Sequence, residues 1–236
     1  MASTRLPDKP LADIGGVPMI VRVWRQAAKA GIGPVLVAAA EREIADAVRA
    51  AGGQAVLTDP ALPSGTDRMK AALDIFDPDG AHDIAVNLQG DLPAIDPEAI
   101  RAVSDTLAPT GADIATLAAE IRDPADFDNP HAVKVVATWD VTGRRGRALY
   151  FTRACAPWGD GPLYFHVGIY AFKRAALKRF VDLPPSPLER REKLEQLRAL
   201  EAGMSIAVAL IDAVPLSVDT PEDLEAARAA TANAKE

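Results

Sequence analysis

The segment Asp83-Ile-Ala-Val-Asn-Leu-Gln-Gly-Asp91 ends an apolar run with an acidic residue, and Leu92-Pro93 follows directly. A short apolar run bounded by polar and glycine residues is typical of a buried strand in an α/β sheet. Open α/β sheets bind their ligands beyond the carboxyl ends of the strands. We therefore expect Asp91 to face a binding crevice.

On both sides of this segment, apolar β-rich runs alternate with amphipathic stretches, which predicts an α/β fold with a mainly parallel sheet flanked by helices. Consecutive strand-like runs over Val133–Phe172 predict a small antiparallel extension. We expect a single domain over residues 1–236 with a polar tail at 231–236. The predicted strands are Pro34–Ala38, Gln54–Leu57, Asp83–Leu88, Ile114–Ala118, Val133–Thr138, Ala148–Thr152, Phe165–Phe172 and Ser205–Ile211. The predicted helices are Pro18–Ala30, Glu41–Ala51, Thr66–Ile75, Pro97–Leu107, Arg174–Val181, Pro187–Ala202 and Pro221–Ala230.

The composition excludes several functional classes. Among the 236 residues, 33 Asp and Glu exceed 26 Lys and Arg, and a formal charge of -7 is a poor match to nucleic acid or anionic membrane. The longest apolar runs are far shorter than the roughly 20 residues that a bilayer requires. Cys155 is the one cysteine, and Met1–Pro10 carries proline and charges where a signal peptide would be apolar. We therefore expect a cytoplasmic protein.

Two acidic residues and two cations form a candidate site for a nucleotide and its metal. Asp91 follows one strand, and Asp219 lies between the last strand and the last helix. Carboxylates are hard oxygen ligands for Mg²⁺, while Arg5 and Lys9 could neutralise phosphates. The loop Pro63–Arg68 opens a helix, whose free N–H groups could hold a polar ligand. No P-loop or GxGxxG pattern is present.

Each candidate also has a purely structural interpretation when it is considered alone. Asp91 could be a turn residue, Asp219 could cap the last helix, and Arg5 and Lys9 could be solvated. His166 could be a satisfied core histidine on a strand face that it shares with Gly168 and Tyr170. Glu195 and Gln196 could simply lie on the surface of a helix. The residues taken singly leave these alternatives open.

A series of motifs in fixed order nevertheless resembles one family. The series is Ala2-Ser-Thr-Arg-Leu-Pro, Lys9-Pro-Leu, Pro18-Met-Ile, Pro63-Ser-Gly-Thr-Asp-Arg, Val86-Asn-Leu-Gln-Gly-Asp, Asn129-Pro-His-Ala-Val-Lys-Val-Val, Ala148-Leu-Tyr-Phe-Thr-Arg, His166-Val-Gly-Ile-Tyr, Ser186-Pro-Leu-Glu, Leu194-Glu-Gln-Leu-Arg and Val218-Asp-Thr-Pro-Glu-Asp-Leu-Glu. From Ala2 to about Arg228 the chain resembles the 3-deoxy-manno-octulosonate (Kdo) cytidylyltransferases. The resemblance implies a Rossmann-like nucleotidyltransferase fold.

It also implies a reaction: CTP and Kdo give CMP-Kdo and pyrophosphate, through in-line attack of the anomeric hydroxyl on the α-phosphorus. By this resemblance Asp91 and Asp219 bind Mg²⁺ and act in catalysis with Lys9. The nucleotide-binding residues that it implies are Arg5, Lys9, Ser64, Gly65, Thr66, Arg68 and Gln89. The sugar-binding residues that it implies are Arg153, His166, Tyr170, Glu195 and Gln196.

The family further implies a homodimer through the strands of Ala148–Phe172 and a place in lipopolysaccharide synthesis. Some positions depart from its pattern. Leu92 stands where many relatives have Glu, and Leu62 where they often have His or Gln. Ala39-Ala40 replaces Thr-Asp, and Asp8 replaces Gly. We expect these changes to alter affinity rather than to abolish the site.

The family pattern also begins upstream of Met1 with a buried strand and a phosphate-facing arginine. Losing about five buried apolar side chains would cost on the order of 10 kcal/mol, comparable with the roughly 5–15 kcal/mol stability of a domain. We therefore expect the natural protein to be longer and this chain to fold poorly. Two alternatives remain open: a cytidylyltransferase for another acidic sugar or a polyol phosphate, and a nucleotide-binding protein without catalysis.

Overall fold

The computed structural model of the chain describes residues 6–233, which fall into two compact units. The first unit contains the residues up to Asp79, Leu88–Ile100 and the residues from Pro215 onward. The second contains Gly80–Asn87 and Arg101–Val214. Our expectation of one domain over residues 1–236 stays a prediction, because this division does not test whether either unit folds alone.

The first unit contains a short hairpin, a two-stranded parallel sheet and four helices that lie wholly within its segments. Gly15 and Gly16 have positive φ angles of 61° and 80° and form the turn of the hairpin, a conformation that glycine adopts without steric cost. Its elements are β1 (Asp13–Ile14), β2 (Val17–Pro18), α1 (Met19–Ala30), β3 (Leu36–Ala39), α2 (Arg42–Ala50), β4 (Gln54–Leu57), α3 (Gly65–Phe76) and α8 (Pro221–Asn233).

The second unit is built on a six-stranded sheet with the order β5-β9-β6-β10-β8-β7. Its strands are β5 (Ile84–Asn87), β6 (Ile114–Glu120), β7 (Lys134–Trp139), β8 (Arg145–Thr152), β9 (Tyr164–Lys173) and β10 (Ile206–Ile211). Its helices are α5 (Arg174–Asp182), α6 (Pro187–Glu192) and α7 (Leu197–Glu201), while α4 (Pro97–Thr110) runs from the residues of the first unit into those of the second. Short 3-10 turns cover Lys9–Leu11 and Pro124–Asp126.

The α/β class is confirmed, but the expectation of a mainly parallel sheet is wrong for the six described strands. Among their pairings, β6 with β10 is parallel, whereas β9 runs antiparallel between β5 and β6, and β8 runs antiparallel to both β7 and β10. The physical reason is the path of the chain, which turns back between β7 and β8 and so places these consecutive strands side by side in opposite directions. The antiparallel β7, β8 and β9 are not confined to an extension, because β9 lies inside the sheet, between β5 and β6.

Two helix predictions also need correction. The single helix expected over Pro187–Ala202 is broken, because Lys193 adopts a left-handed conformation with φ 58° and ends α6. α8 continues to Asn233, so residues 231–233 of the predicted polar tail are helical; residues 234–236 lie outside the described part of the chain.

The core of the second unit is apolar and contains both aliphatic and aromatic side chains. Nearly every residue of β6 is inaccessible to solvent, and Ile169 and Phe151 are fully buried. None of the described helices is both long and apolar enough to cross a membrane.

Candidate functional site

The ammonium group of Lys9 joins the two predicted acids. Its Nζ lies 3.2 Å from Oδ2 of Asp91 and 2.9 Å from Oδ1 of Asp219. The Lys9 side chain is 14% exposed, whereas that of Asp219 is 57% exposed. The interpretation of Lys9 as a solvated surface cation is therefore wrong, and this cluster, the Lys9 centre, is open to solvent on the side of Asp219.

Local structure fixes each member of the Lys9 centre. Lys9 begins a 3-10 turn, and Asp8 before it has φ 51°, a left-handed conformation that explains why glycine suits that position. The Asp91 carbonyl accepts the Val218 N–H at 2.9 Å, which ties the two acidic loops together through the backbone. Leu92 is 6% exposed, so its side chain anchors the Asp91 loop in the core and is not available to a ligand.

The side chain of Asp219 does not cap α8. That role belongs to Thr220, together with Asp223, whose carboxylate accepts the N–H groups of Asp219 at 3.0 Å and Thr220 at 2.9 Å. The Thr220 hydroxyl accepts the N–H of Asp223 at 3.2 Å in return. This reciprocal capping box leaves the Asp219 carboxylate to pair with Lys9. The alternative in which Asp219 caps the last helix is thus wrong.

Opposing effects act on the charge of Lys9. Burial alone would lower its pKa, but the hydrogen bonds and negative charges of Asp219 and Asp91 outweigh burial and raise the pKa above its usual value. Lys9 is therefore a cation at neutral pH.

The predicted cytidine loop lies at the start of α3. The Ser64 hydroxyl accepts the Asp67 N–H at 3.2 Å and donates to the Asp67 carboxylate at 2.6 Å, so it caps the helix. Thr66 is 3% exposed. A Cβ atom at Gly65 would lie 3.5 Å from Oε1 of Gln89, which shows that Gln89 covers this glycine. The structure thus brings Gly65 and Gln89 together.

Of the two arginines predicted for the nucleotide site, Arg5 and Arg68, the structure describes Arg68. Nη1 of Arg68 donates to the Thr58 hydroxyl at 2.7 Å and to the Asp59 carbonyl at 3.3 Å, so Arg68 ties α3 to the end of β4. Thr58 in turn donates to the carbonyl of the buried Ala39. Arg5 lies outside the described residues.

In the second unit, His166 and Tyr170 are neighbours on β9, with ring centroids 5.5 Å apart. Nε2 of His166 lies 3.0 Å from the Thr116 hydroxyl, and Phe151 packs edge-on against the imidazole. Burial lowers the pKa of His166 to about 3, and burial followed by the charge of Glu195 raises the pKa of Tyr170. Both rings are therefore neutral at physiological pH.

Arg153 is held by the chain itself. Its Nε donates to the Glu192 carbonyl at 2.8 Å, and its Nη1 donates to the Pro130 carbonyl at 2.8 Å. The Glu192 carboxylate accepts the Thr152 hydroxyl at 2.9 Å and the Arg153 N–H at 3.0 Å. Two N–H groups of Arg153, which we expected to bind the sugar carboxylate, therefore donate to backbone carbonyls of the protein and fix the position of the guanidinium.

Glu195 and Gln196 follow the helix break at Lys193. Gln196 is 6% exposed, so the interpretation that it lies on the surface is wrong, and its Nε2 has no hydrogen-bond acceptor among residues 6–233. Arg198, on the next turn, makes a bidentate pair with Glu189 at 2.9 and 2.6 Å and lies over the Phe180 ring. This ion pair fixes the segment that carries Gln196.

Sequence analysis missed two residues that shape this part of the molecule, Thr116 and Glu192. A signal existed for Thr116, because a hydroxyl inside the apolar run of β6 requires buried partners. No local signal identified Glu192, whose partners Thr152 and Arg153 are about 40 residues away in sequence.

Within residues 6–233 no group of three or more His, Cys, Asp or Glu side chains converges as a metal site. Asp91 and Asp219 nevertheless direct carboxylate oxygens at one cation, that of Lys9. Two carboxylates completed by water and substrate phosphates are an ordinary donor set for Mg²⁺. The residues present therefore fit the predicted ion.

Comparison with known proteins identifies the family of this chain. The model of the cytidylyltransferase family matches residues 1–206 of this chain. The 3-deoxy-manno-octulosonate cytidylyltransferase of Parvibaculum lavamentivorans is 66% identical over 98% of this chain and 90% of its own length. That of Rhodospirillum centenum is 64% identical over 97% and 89%. A CMP-2-keto-3-deoxy-manno-octonic acid synthetase solved with CTP is 38% identical, with a TM-score of 0.89 over 98% of this chain and 94% of that one. The predicted nucleotidyltransferase fold is thereby confirmed, and the chain belongs to the 3-deoxy-manno-octulosonate cytidylyltransferase family.

Proposed function

We propose that this protein transfers CMP from CTP to Kdo, giving CMP-Kdo and pyrophosphate. The observation that carries the proposal is the Lys9 centre, in which one cation and two carboxylates meet in a chain 66% identical to a Kdo cytidylyltransferase. Transfer of a nucleotidyl group needs alignment and neutralisation of phosphate charge more than covalent catalysis. The members of the Lys9 centre supply both.

Lys9 acts first as a binding group and then as an electrostatic one. Its ammonium carries three donors on a flexible stem, so it can exchange a carboxylate partner for a phosphate oxygen without losing its charge. In the reaction it stabilises the negative charge that develops on the departing pyrophosphate. Arg5, by resemblance, would share this task.

Asp91 and Asp219 are proposed to hold Mg²⁺, since their oxygens already serve one cation. Bound there, Mg²⁺ would polarise the α-phosphoryl group and lower the pKa of the attacking hydroxyl. Asp91 would face the phosphates, and Asp219, the more exposed acid, would face the sugar side. The two loops hold this arrangement through the hydrogen bond from Val218 to Asp91.

The loop Ser64–Thr66 is proposed to receive the cytidine. The Ser64 hydroxyl is bonded to Asp67, and the Gln89 amide lies next to Gly65; we propose that backbone N–H donors at the start of α3 and this amide contact the base. In the second unit Arg153, His166, Tyr170, Glu195 and Gln196 are proposed to bind Kdo. The buried Gln196 amide supports this role, since its Nε2 donors have no acceptor within the described chain.

A homodimer through Ala148–Phe172 is proposed as well. Leu149 is 47% exposed and Trp158 is 99% exposed, so two large apolar side chains of this stretch would lose contact with water on association. Light scattering should then give twice the mass of 24.9 kDa, and a Trp158→Ser, Leu149→Ser variant should scatter as a monomer. A monomeric wild-type protein would contradict the proposal. We further propose a cytoplasmic location, where Cys155, a free exposed thiol, stays reduced, and a role in lipopolysaccharide synthesis.

Pyrophosphate release from CTP, Kdo and Mg²⁺ tests the activity, with sialic acid and a polyol phosphate as competing acceptors. We expect release with Kdo, and Asp91→Asn should reduce it by at least about 100-fold. Release with sialic acid alone would favour a different sugar specificity. CTP binding without release for any acceptor would favour a nucleotide-binding protein without catalysis.

A further inference from the structure

Thr116 is a buried polar side chain that the proposed mechanism does not use. It lies in β6 with 0% exposure, between Ala115 and Leu117, which are equally buried. A hydroxyl in such surroundings is stable only when its hydrogen bonds are made inside the protein. The partners of Thr116 therefore carry information about the neighbouring groups.

Three groups surround the Thr116 hydroxyl oxygen. The carbonyl oxygens of Ile169 and Val167 lie 2.8 and 3.2 Å away, and Nε2 of His166 lies 3.0 Å away. The register of β9 shifts here, because Thr116 pairs with Tyr170 while the next residue, Leu117, pairs with Val167. Such a bulge disturbs the ladder, and the Thr116 side chain supplies a donor to the carbonyls within it.

The number of protons available for these hydrogen bonds then determines the tautomer of His166. The hydroxyl has one proton, and a carbonyl oxygen can only accept. The Thr116 hydroxyl therefore donates its hydrogen bond to the Ile169 carbonyl, 2.8 Å away. The hydrogen bond between Thr116 and His166 must then be donated by the imidazole. With the opposite tautomer, two lone pairs would face each other across 3.0 Å in a buried site.

We infer that Thr116 is a positioning residue that fixes His166 as the Nε2–H tautomer. Nδ1 then carries the lone pair and is a hydrogen-bond acceptor. Because burial lowers the pKa of His166 to about 3, the ring stays neutral and the acceptor is retained at neutral pH. An acceptor cannot bind a carboxylate but can bind a hydroxyl. On the proposed function, His166 therefore recognises a hydroxyl of Kdo, and the sugar carboxylate must find its donors elsewhere.

Long-range ¹H–¹⁵N correlation on protein labelled at histidine, without substrate, tests the tautomer directly. We expect the pattern of a protonated Nε2 in the wild type and in Thr116→Ser, which keeps the hydroxyl. Thr116→Val, which keeps the shape, should give a mixture of tautomers. Thr138→Val, an exposed threonine of the same sheet, is the matched control and should match the wild type. A protonated Nδ1 in the wild type would overturn the inference.

Kinetics separate this inference from the proposed function. Thr116→Val should raise KM for Kdo about tenfold and leave KM for CTP unchanged, and Thr116→Ser should restore the wild-type value. A rise in both KM values, not restored by serine, would indicate a structural role and contradict the positioning role. If the wild type released no pyrophosphate while its NMR pattern showed a protonated Nε2, the function would be refuted and the tautomer confirmed.

Discussion

The carbonyl of Glu192 accepts the Arg153 Nε–H at 2.8 Å while the carboxylate of the same residue accepts the Arg153 backbone N–H at 3.0 Å. Glu192 thus holds both the main chain and the guanidinium of Arg153. Glu192→Ala should raise KM for Kdo about tenfold, because the Arg153 backbone N–H and the Thr152 hydroxyl lose their carboxylate acceptor, while the backbone carbonyl that accepts the Arg153 Nε–H remains. KM for CTP should stay the same. Steady-state kinetics would check this, with the exposed Glu43→Ala as control; an unchanged KM for Kdo would refute the positioning role.

Lys9→Gln should lower kcat by about 100- to 1000-fold, because it removes the cation that we propose stabilises charge on the pyrophosphate. The variant should still fold, since the two acids are partly exposed and can be hydrated. Pyrophosphate release and thermal unfolding would be measured together. Lys178→Gln, an exposed lysine on α5, is the control. A kcat within threefold of wild type would contradict the proposed role.

Chelation with EDTA should stop turnover without unfolding the protein. Without metal, Lys9 pairs with both acids, so their mutual repulsion is compensated by the protein itself. The Tm should therefore move by less than about 2 °C, whereas structural metal sites lose their fold on chelation. Added Mg²⁺ should restore activity. A large loss of Tm in EDTA would mean that the ion is part of the fold.

The stability of the protein should fall as the pH falls below about 6.5. In that range the unfolded chain binds a proton at residue 166, whereas burial lowers the folded pKa to about 3, so protonation favours unfolding. The slope contributed by one such group is at most about 1.4 kcal/mol per pH unit. Urea unfolding between pH 5 and pH 7 should give a flatter pH dependence for His166→Asn than for the wild type. The exposed His131→Asn should behave as the wild type; equal slopes for all three would refute the assignment.

Asp8→Gly should stabilise the protein by up to about 1 kcal/mol, since a left-handed conformation at φ 51° is costly for a residue with a Cβ atom. It should also lower KM for CTP, because it removes a carboxylate next to Lys9, which we propose binds phosphate. Urea unfolding and CTP kinetics would measure the two effects. Asp46→Gly, an exposed position within α2, should instead destabilise the chain by roughly 0.5–1 kcal/mol. Loss of stability in Asp8→Gly would contradict the argument.

The alternation of apolar and amphipathic runs sufficed to predict the α/β class and nearly all helices and strands. The motifs around Lys9, Asp91 and Asp219 sufficed to predict that these three residues meet. Both predictions rest on local signals, such as strand ends and helix starts, which can be recognised in the sequence without knowledge of the tertiary contacts.

Other features depend on contacts between distant residues and left no local pattern. Lys193 breaks the predicted helix within a stretch tied down by Glu189 with Arg198 and by Glu192 with Arg153. The position of β9 between β5 and β6 likewise depends on pairing across many residues. The structural duties of Arg68 and Ser64 could not be separated from ligand binding in the sequence, because both duties favour the same residue types.

The hydrogen bond from Lys9 to Asp219 spans 210 positions of the chain. During synthesis at about 5–20 residues per second, Lys9 therefore waits roughly 10–40 s for its second acid. The strands of the second unit are all made in that interval, whereas the first unit cannot be completed until its last segment leaves the ribosome. Any ribosome that stops before Asp219 therefore releases a chain whose Lys9 centre is incomplete.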